Sequence, residues 1–232
     1  MSTEMWRQIN VFQRFVSQIT PEDLEGDALS RVCTRLKDGV QAHTGITQGT
    51  MYRDQGWYFY ELGRFIERAD QTTRMLDIKY TALLPQGAEE KRVAELTQWN
   101  AVLRAAAGYH AFKRLARAEF SPEDVVHFLL RDPSSPRSVL LCVRRVESHL
   151  DDLRRLYGLN AAGDAIEMAE MLRELLVGKP LSHILAIGLH DYLDLVQIHL
   201  QKLAAAIGRA FFRDWRPGIE TPQEAAEVQE TA

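Results

Sequence analysis

Phe59, Leu62, Ile66, Ala69, Thr73, Leu76 and Tyr80 recur at alternating steps of three and four along an unbroken stretch of chain. That spacing keeps all seven on one face of an α-helix, and a seam this long requires other helices packed lengthwise against it. Gly63, Glu67, Asp70, Arg74 and Asp77 lie beside the seam. The same period recurs elsewhere and no alternating strand pattern competes with it, so helices are expected at 3–18, 28–48, 55–83, 89–116, 122–130, 136–157, 161–177 and 181–212. Thr20-Pro21, Ser121-Pro122 and Ser135-Pro136 each set a hydroxyl cap before a proline, and the first two add acids in the following turn. Pro85-Gln86-Gly87, Asp132-Pro133 and Gly178-Lys179-Pro180 punctuate the helices. Long helices joined by short turns predict an all-α fold, an antiparallel up-and-down bundle of seven or eight helices forming one domain over 1–213. Gly45 and Gly49 suggest close backbone approach or a frayed helix end.

The formal charge of −4 belongs to the tail, where Glu220, Glu224, Glu227 and Glu230 meet no basic residue after Arg216. Residues 214–232 are acidic and poor in apolar side chains, which predicts disorder. A neutral body gives no footprint for nucleic acid. No apolar run approaches the roughly 18 residues of a membrane span, and the N-terminus has no basic and apolar leader, so a cytoplasmic protein is expected. Cys33 and Cys142 are far apart in sequence among apolar helical positions and read as buried thiols.

The charges of the third helix can form local pairs: Arg64 with Glu67, Asp70 with Arg74, and Arg74 with Asp77. Each is worth only about 0.2–0.5 kcal/mol if exposed. Arg68 has no carboxylate three or four residues away, so a buried Arg68 needs a partner from another helix, a terminus or a ligand. Glu67 and Arg68 are adjacent and point about 100° apart. Ser135 and Ser138 flank Arg137 at a helix start, where a hydroxyl caps the backbone and an anion could be received; Arg137 could bind a carboxylate from Glu67 or from a peptide terminus. His190 and Asp194 are four apart, a spacing read as a hydrogen bond with no metal. No Gly-rich phosphate loop is present and no cofactor is implied.

Leu62-Gly63-Arg64-Phe65-Ile66-Glu67-Arg68-Ala69-Asp70, with Arg74 and Leu76-Asp77, resembles the hallmark of the Alpha-E family, bacterial all-helical proteins named for a Glu-Arg motif. Met51-Tyr52-Arg53-Asp54-Gln55-Gly56-Trp57 resembles the lead-in to that helix. Residues 128–139, which include Asp132, Pro136, Arg137 and Ser138, resemble a second signature, and Gly188-Leu189-His190-Asp191-Tyr192-Leu193-Asp194 with Phe211-Phe212 resemble the last helix. The resemblance implies candidate binding residues Arg53, Arg64, Glu67, Arg68, Asp70, Arg74, Asp77, Asp132, Arg137, Ser138 and His190. It implies an accessory role in peptide synthesis or modification beside an ATP-grasp-type ligase and a transglutaminase-like protein, with any ATP chemistry belonging to the partner. Two alternatives stand beside a non-catalytic scaffold: an enzyme with an Arg/Glu-lined site acting on peptides, and a dimeric fragment of a split protein. The single Glu-Arg helix resembles only the C-terminal half to two-thirds of a full-length member, which implies a separate N-terminal half or a homodimer.

Overall fold

The computed structural model describes residues 1–82, 89–115 and 120–212. Among them are ten α-helices and no strand: α1 (Thr3–Val16), α2 (Gly26–Thr50), α3 (Gln55–Ala82), α4 (Glu89–Ala105), α5 (Tyr109–Leu115), α6 (Pro122–Arg131), α7 (Val139–Tyr157), α8 (Gly163–Val177), α9 (Leu181–Ile187) and α10 (Leu189–Phe211). The all-α expectation holds. The expected turn at Pro85-Gln86-Gly87 and the tail from 214 lie outside the described residues. The chain divides into two compact units, Met1–Trp57 and the part from Tyr58 onward.

In the first unit α1 and α2 form an antiparallel hairpin. The Ser2 hydroxyl accepts the Met5 N–H at 3.1 Å and caps α1, and it bonds Thr50 at the far end of α2 at 2.7 Å. Met5, Val32 and Thr47 are buried between the helices. The close approach is at Gly39, where a Cβ would collide with the Phe12 ring. Gly45 and Gly49 have open space instead among the described residues, so the close approach read from their spacing does not hold, and α2 runs through both to end at Thr50, before Tyr52. Thr20-Pro21 opens a 3-10 turn, Pro21–Leu24, whose Asp23 carboxylate accepts the Thr20 N–H at 3.0 Å. Cys33 is exposed on α2, contrary to expectation.

In the second unit the seam of α3 goes inward: Leu62, Ala69, Thr73 and Leu76 are almost wholly buried. The Tyr58 ring meets Tyr157 at the end of α7, whereas the Thr72 hydroxyl reaches Arg137 just before its start, so α3 and α7 are antiparallel. Likewise Phe59 packs on Phe211 at the end of α10 and Asp77 meets His190 at its beginning. Arg173 pairs with Glu147, and the Tyr192 hydroxyl donates to the Leu175 carbonyl, so α8 runs opposite to both α7 and α10. These four helices form an up-and-down bundle around Leu62, Val143, Leu150, Leu172 and Leu193. The core of buried apolar residues runs from Leu62 to Ile207.

Two predicted helices are broken. The expected helix over 89–116 stops after Ala105, where Ala107 adopts φ 52°, and resumes at Tyr109. Gly108 fills the break because a Cβ there would come 2.9 Å from Cε1 of Phe128. The expected helix over 181–212 is interrupted at Gly188, whose φ of 137° is poorly accessible to other residues. At α7 the cap is Ser138 and not Ser135: Ser138 accepts the Leu141 N–H at 3.1 Å.

Candidate functional site

The aromatic run that opens α3 carries one carboxylate, Glu61, and the packing that buries Leu62 buries it too. A buried carboxylate needs a cation and hydrogen bonds. Arg64 supplies both: its Nε donates to Oε1 at 3.0 Å and its Nη2 to Oε2, a bidentate clasp. The Arg64 guanidinium also lies 4.6 Å from the Phe65 ring centre. His149 of α7 faces the same region, with its ring 5.6 Å from Tyr58 and 5.8 Å from Phe65. Burial pushes the His149 pKa below its ordinary value, against the opposing pull of Glu61, so the ring favours its neutral form.

One turn further along, α3 meets the loop that precedes α7. Asp132 organises this loop, accepting the N–H groups of Ser134 at 2.8 Å and Ser135 at 2.7 Å, while its own carbonyl takes the Ser138 hydroxyl. Arg68 donates to the Pro136 carbonyl at 3.2 Å, and Thr72 donates to the Arg137 carbonyl at 3.0 Å. The two sequence signatures therefore meet at one locus. They are joined through backbone carbonyls of the loop and not through an Arg137–Glu67 pair. Burial, with the neighbouring Arg64 and Arg137 cations, lowers the Arg68 pKa. Cys142, one turn into α7, sits against this cationic group, yet burial prevails and pushes its thiol up to about 11. Among the described residues, the guanidiniums of Arg64, Arg68 and Arg137 stand around the locus with the carboxylates of Glu61 and, within the loop, Asp132. Arg137 is exposed.

The other expected residues distribute as follows. Glu67 is exposed and accepts from Gln71 at 2.8 Å, and Arg64 pairs with Glu61 instead. The Asp70–Arg74 pair forms at 2.6 Å. Asp77 engages His190 of α10 at 2.6 Å, and Asp194 stands 3.6 Å from the other ring nitrogen, beyond hydrogen-bonding range. Arg53 lies in the first unit, donating to the Gln48 carbonyl at 2.8 Å and stacking 4.4 Å from Trp57. Sequence reasoning missed Glu61, Thr72 and His149. The signal for Glu61 was available: a lone carboxylate directly after four aromatic residues and directly before a seam leucine.

Concavities among the described residues lie elsewhere. One, in the first unit, is lined by Phe15, Asp23, Arg31 and Arg35. Another lies between α8 and α10, lined by Glu167, Met171, Glu174, Leu195 and His199. No described helix is long and apolar enough to cross a membrane.

No solved structure matches this chain. Among curated proteins it is similar to an uncharacterised protein of Mycobacterium bovis and to uncharacterised proteins of two Mycobacterium tuberculosis strains, each 26% identical over 157 residues. The alignment takes in 66% of this chain and 17% of each relative, so the chain matches a small part of their length. The model of the Alpha-E family, described as a predicted alpha-helical domain with a conserved ER motif, matches residues 1–212. That span runs from α1 through α10, so correspondence to only the C-terminal part of a member is not borne out. With Glu67-Arg68 its sole Glu-Arg step, on α3 of an all-helical bundle, this chain belongs to the Alpha-E family.

Proposed function

We propose that the chain is a non-catalytic, cytoplasmic accessory protein of a peptide-synthesis or peptide-modification system, which engages an ATP-grasp-type ligase and a transglutaminase-like protein. The observation that carries this reading is the charge imbalance where α3 meets the loop before α7. Arg64 is clasped by Glu61, whereas Arg68 donates to a neutral carbonyl, and Arg137 stands at the exposed rim. A peptide carboxylate or an acidic side chain of a partner supplies the missing charge and accepts a bidentate guanidinium bond. Family membership supports the peptide context through the resemblance already drawn. The long curated relatives fit a helical region that works together with other parts.

The test is affinity capture from native lysate with the wild-type chain and with Arg137→Ala, an exposed change that leaves the core intact. Recovery of an ATP-grasp-type ligase by the wild type, reduced at least tenfold with the variant, is expected. Turnover of an amino acid, peptide or nucleotide by the purified chain alone, abolished by Arg137→Ala, would overturn the non-catalytic role.

A further inference from the structure

At the far end of α3 from the Glu61–Arg64 clasp, the antiparallel crossing with α10 brings together three potential metal donors from distant sequence. His190 Nδ1 lies 2.6 Å from an Asp77 carboxylate oxygen, and His190 Nε2 lies 3.6 Å from an Asp194 oxygen. One donor atom from each residue falls within 4.8 Å of the others. We propose that this cluster binds a zinc-class divalent cation, with His190 Nε2 and Asp194 as ligands and Asp77 as the residue that orients the imidazole.

The geometry separates this role from a simple ion pair. The Asp77 contact is a short hydrogen bond, which in the neutral ring places the proton on Nδ1 and leaves the Nε2 lone pair free. A carboxylate behind a ligating histidine fixes its tautomer and raises its basicity. The gap from Nε2 to Asp194 is too long for a hydrogen bond. It is close to the edge of a tetrahedral zinc site, about 3.4 Å when both bonds are about 2.1 Å. His190 and Asp194 are one turn apart on α10, so a single helix fixes both ligands, while α3 fixes the orienting group. Both ligands are exposed, leaving the remaining positions to water or to a donor from a bound molecule.

The surrounding charge favours a cation. Among the described residues, Asp70 and Asp77 on α3 and Asp191 and Asp194 on α10 outnumber Arg74, which is engaged by Asp70. The Asp191 carboxylate folds back over Gly188 and contributes charge without ligating. The inference does not rest on the accessory role proposed above.

The test is a titration of the untagged full chain with zinc chloride at pH 7.5, followed by calorimetry and by NMR of the histidine ring nitrogens. One equivalent is expected to shift His190 Nε2, magnesium chloride leaving it unmoved. Asp194→Asn should weaken binding at least tenfold, and Asp77→Asn by about 10–100-fold, the range for loss of an orienting carboxylate. His190→Gln should abolish the site, with circular dichroism confirming an intact fold. Zinc affinity unchanged in His190→Gln, or a His190 resonance unmoved at millimolar zinc in the wild type, would overturn the proposal.

Discussion

Glu61 and Glu67 are six residues apart on α3, which turns them about 120° from one another around the helix. Arg64 stands midway in sequence and has both within reach, so local spacing alone leaves its partner undecided. Burial decides it: Glu61 is 3% exposed, and a carboxylate there needs a cation and hydrogen bonds, which the guanidinium supplies. Glu61→Ala is expected to lower stability by about 2–4 kcal/mol, because it strands Arg64 as well as removing the bidentate bonds. Glu67→Ala is expected to change stability by less than about 0.5 kcal/mol, as a surface substitution does. Urea unfolding of the two variants checks this, and an equal loss in both would refute the assignment. Two histidines should titrate on opposite sides of the ordinary 6.5. For His149 the folded pKa is depressed, so the unfolded chain takes up the proton first and stability is lost as pH falls below about 6.5. For His190 the folded pKa is raised by Asp77, so its contribution is complete below 6.5 and disappears as pH rises through the folded value. An NMR titration that placed His149 above His190 would contradict both environments.

At the scale of the element, helix ends carry the most testable chemistry. Gly158 closes α7 in the left-handed conformation at φ 66°, with open space where a Cβ would go, so Gly158→Ala should cost about 1 kcal/mol from backbone conformation alone. Thr72→Val removes the hydroxyl that α3 gives to the Arg137 carbonyl and should cost about 1 kcal/mol, whereas Thr72→Ser retains most of it. Thermal unfolding of the three variants is the measurement; a valine as stable as the serine would show that the bond contributes nothing. The α3 seam was legible because Leu62, Ala69, Thr73 and Leu76 fall on one stripe and all are buried. The breaks near Ala107 and at Gly188 were not, because apolar spacing continues on both sides and one residue of altered φ leaves the period almost undisturbed. Ser135 and Ser138 presented the same difficulty in miniature. Each can cap, and the choice fell to Asp132, which takes the Ser135 N–H into its own turn.

At the scale of the molecule, the buried apolar core begins at Leu62 and runs to Ile207 without a residue from α1 or α2. A chain beginning at Gln55 is therefore expected to keep a cooperative urea transition and a helical circular dichroism spectrum; a gradual, non-cooperative loss of signal would refute this. The same scale explains which parts of the site sequence reasoning could reach. Pairs within α3, such as Asp70 with Arg74, follow from helical spacing. Partners across the bundle, such as Arg68 with Pro136 and Asp77 with His190, depend on which helices lie side by side and at what height. The resemblance pointed to both halves of the Arg68 junction, but the carbonyl acceptors that join them have no side-chain signature. One further consequence follows from the two cysteines, which fall one in each compact unit. Cys33 is open to reagent, whereas Cys142 is shielded beside the Arg68 junction, its pKa of about 11 leaving almost no thiolate at neutral pH. An alkylating reagent thus meets two clocks in one molecule, the first running from the moment of mixing and the second advancing only when the start of α7 parts from its neighbours.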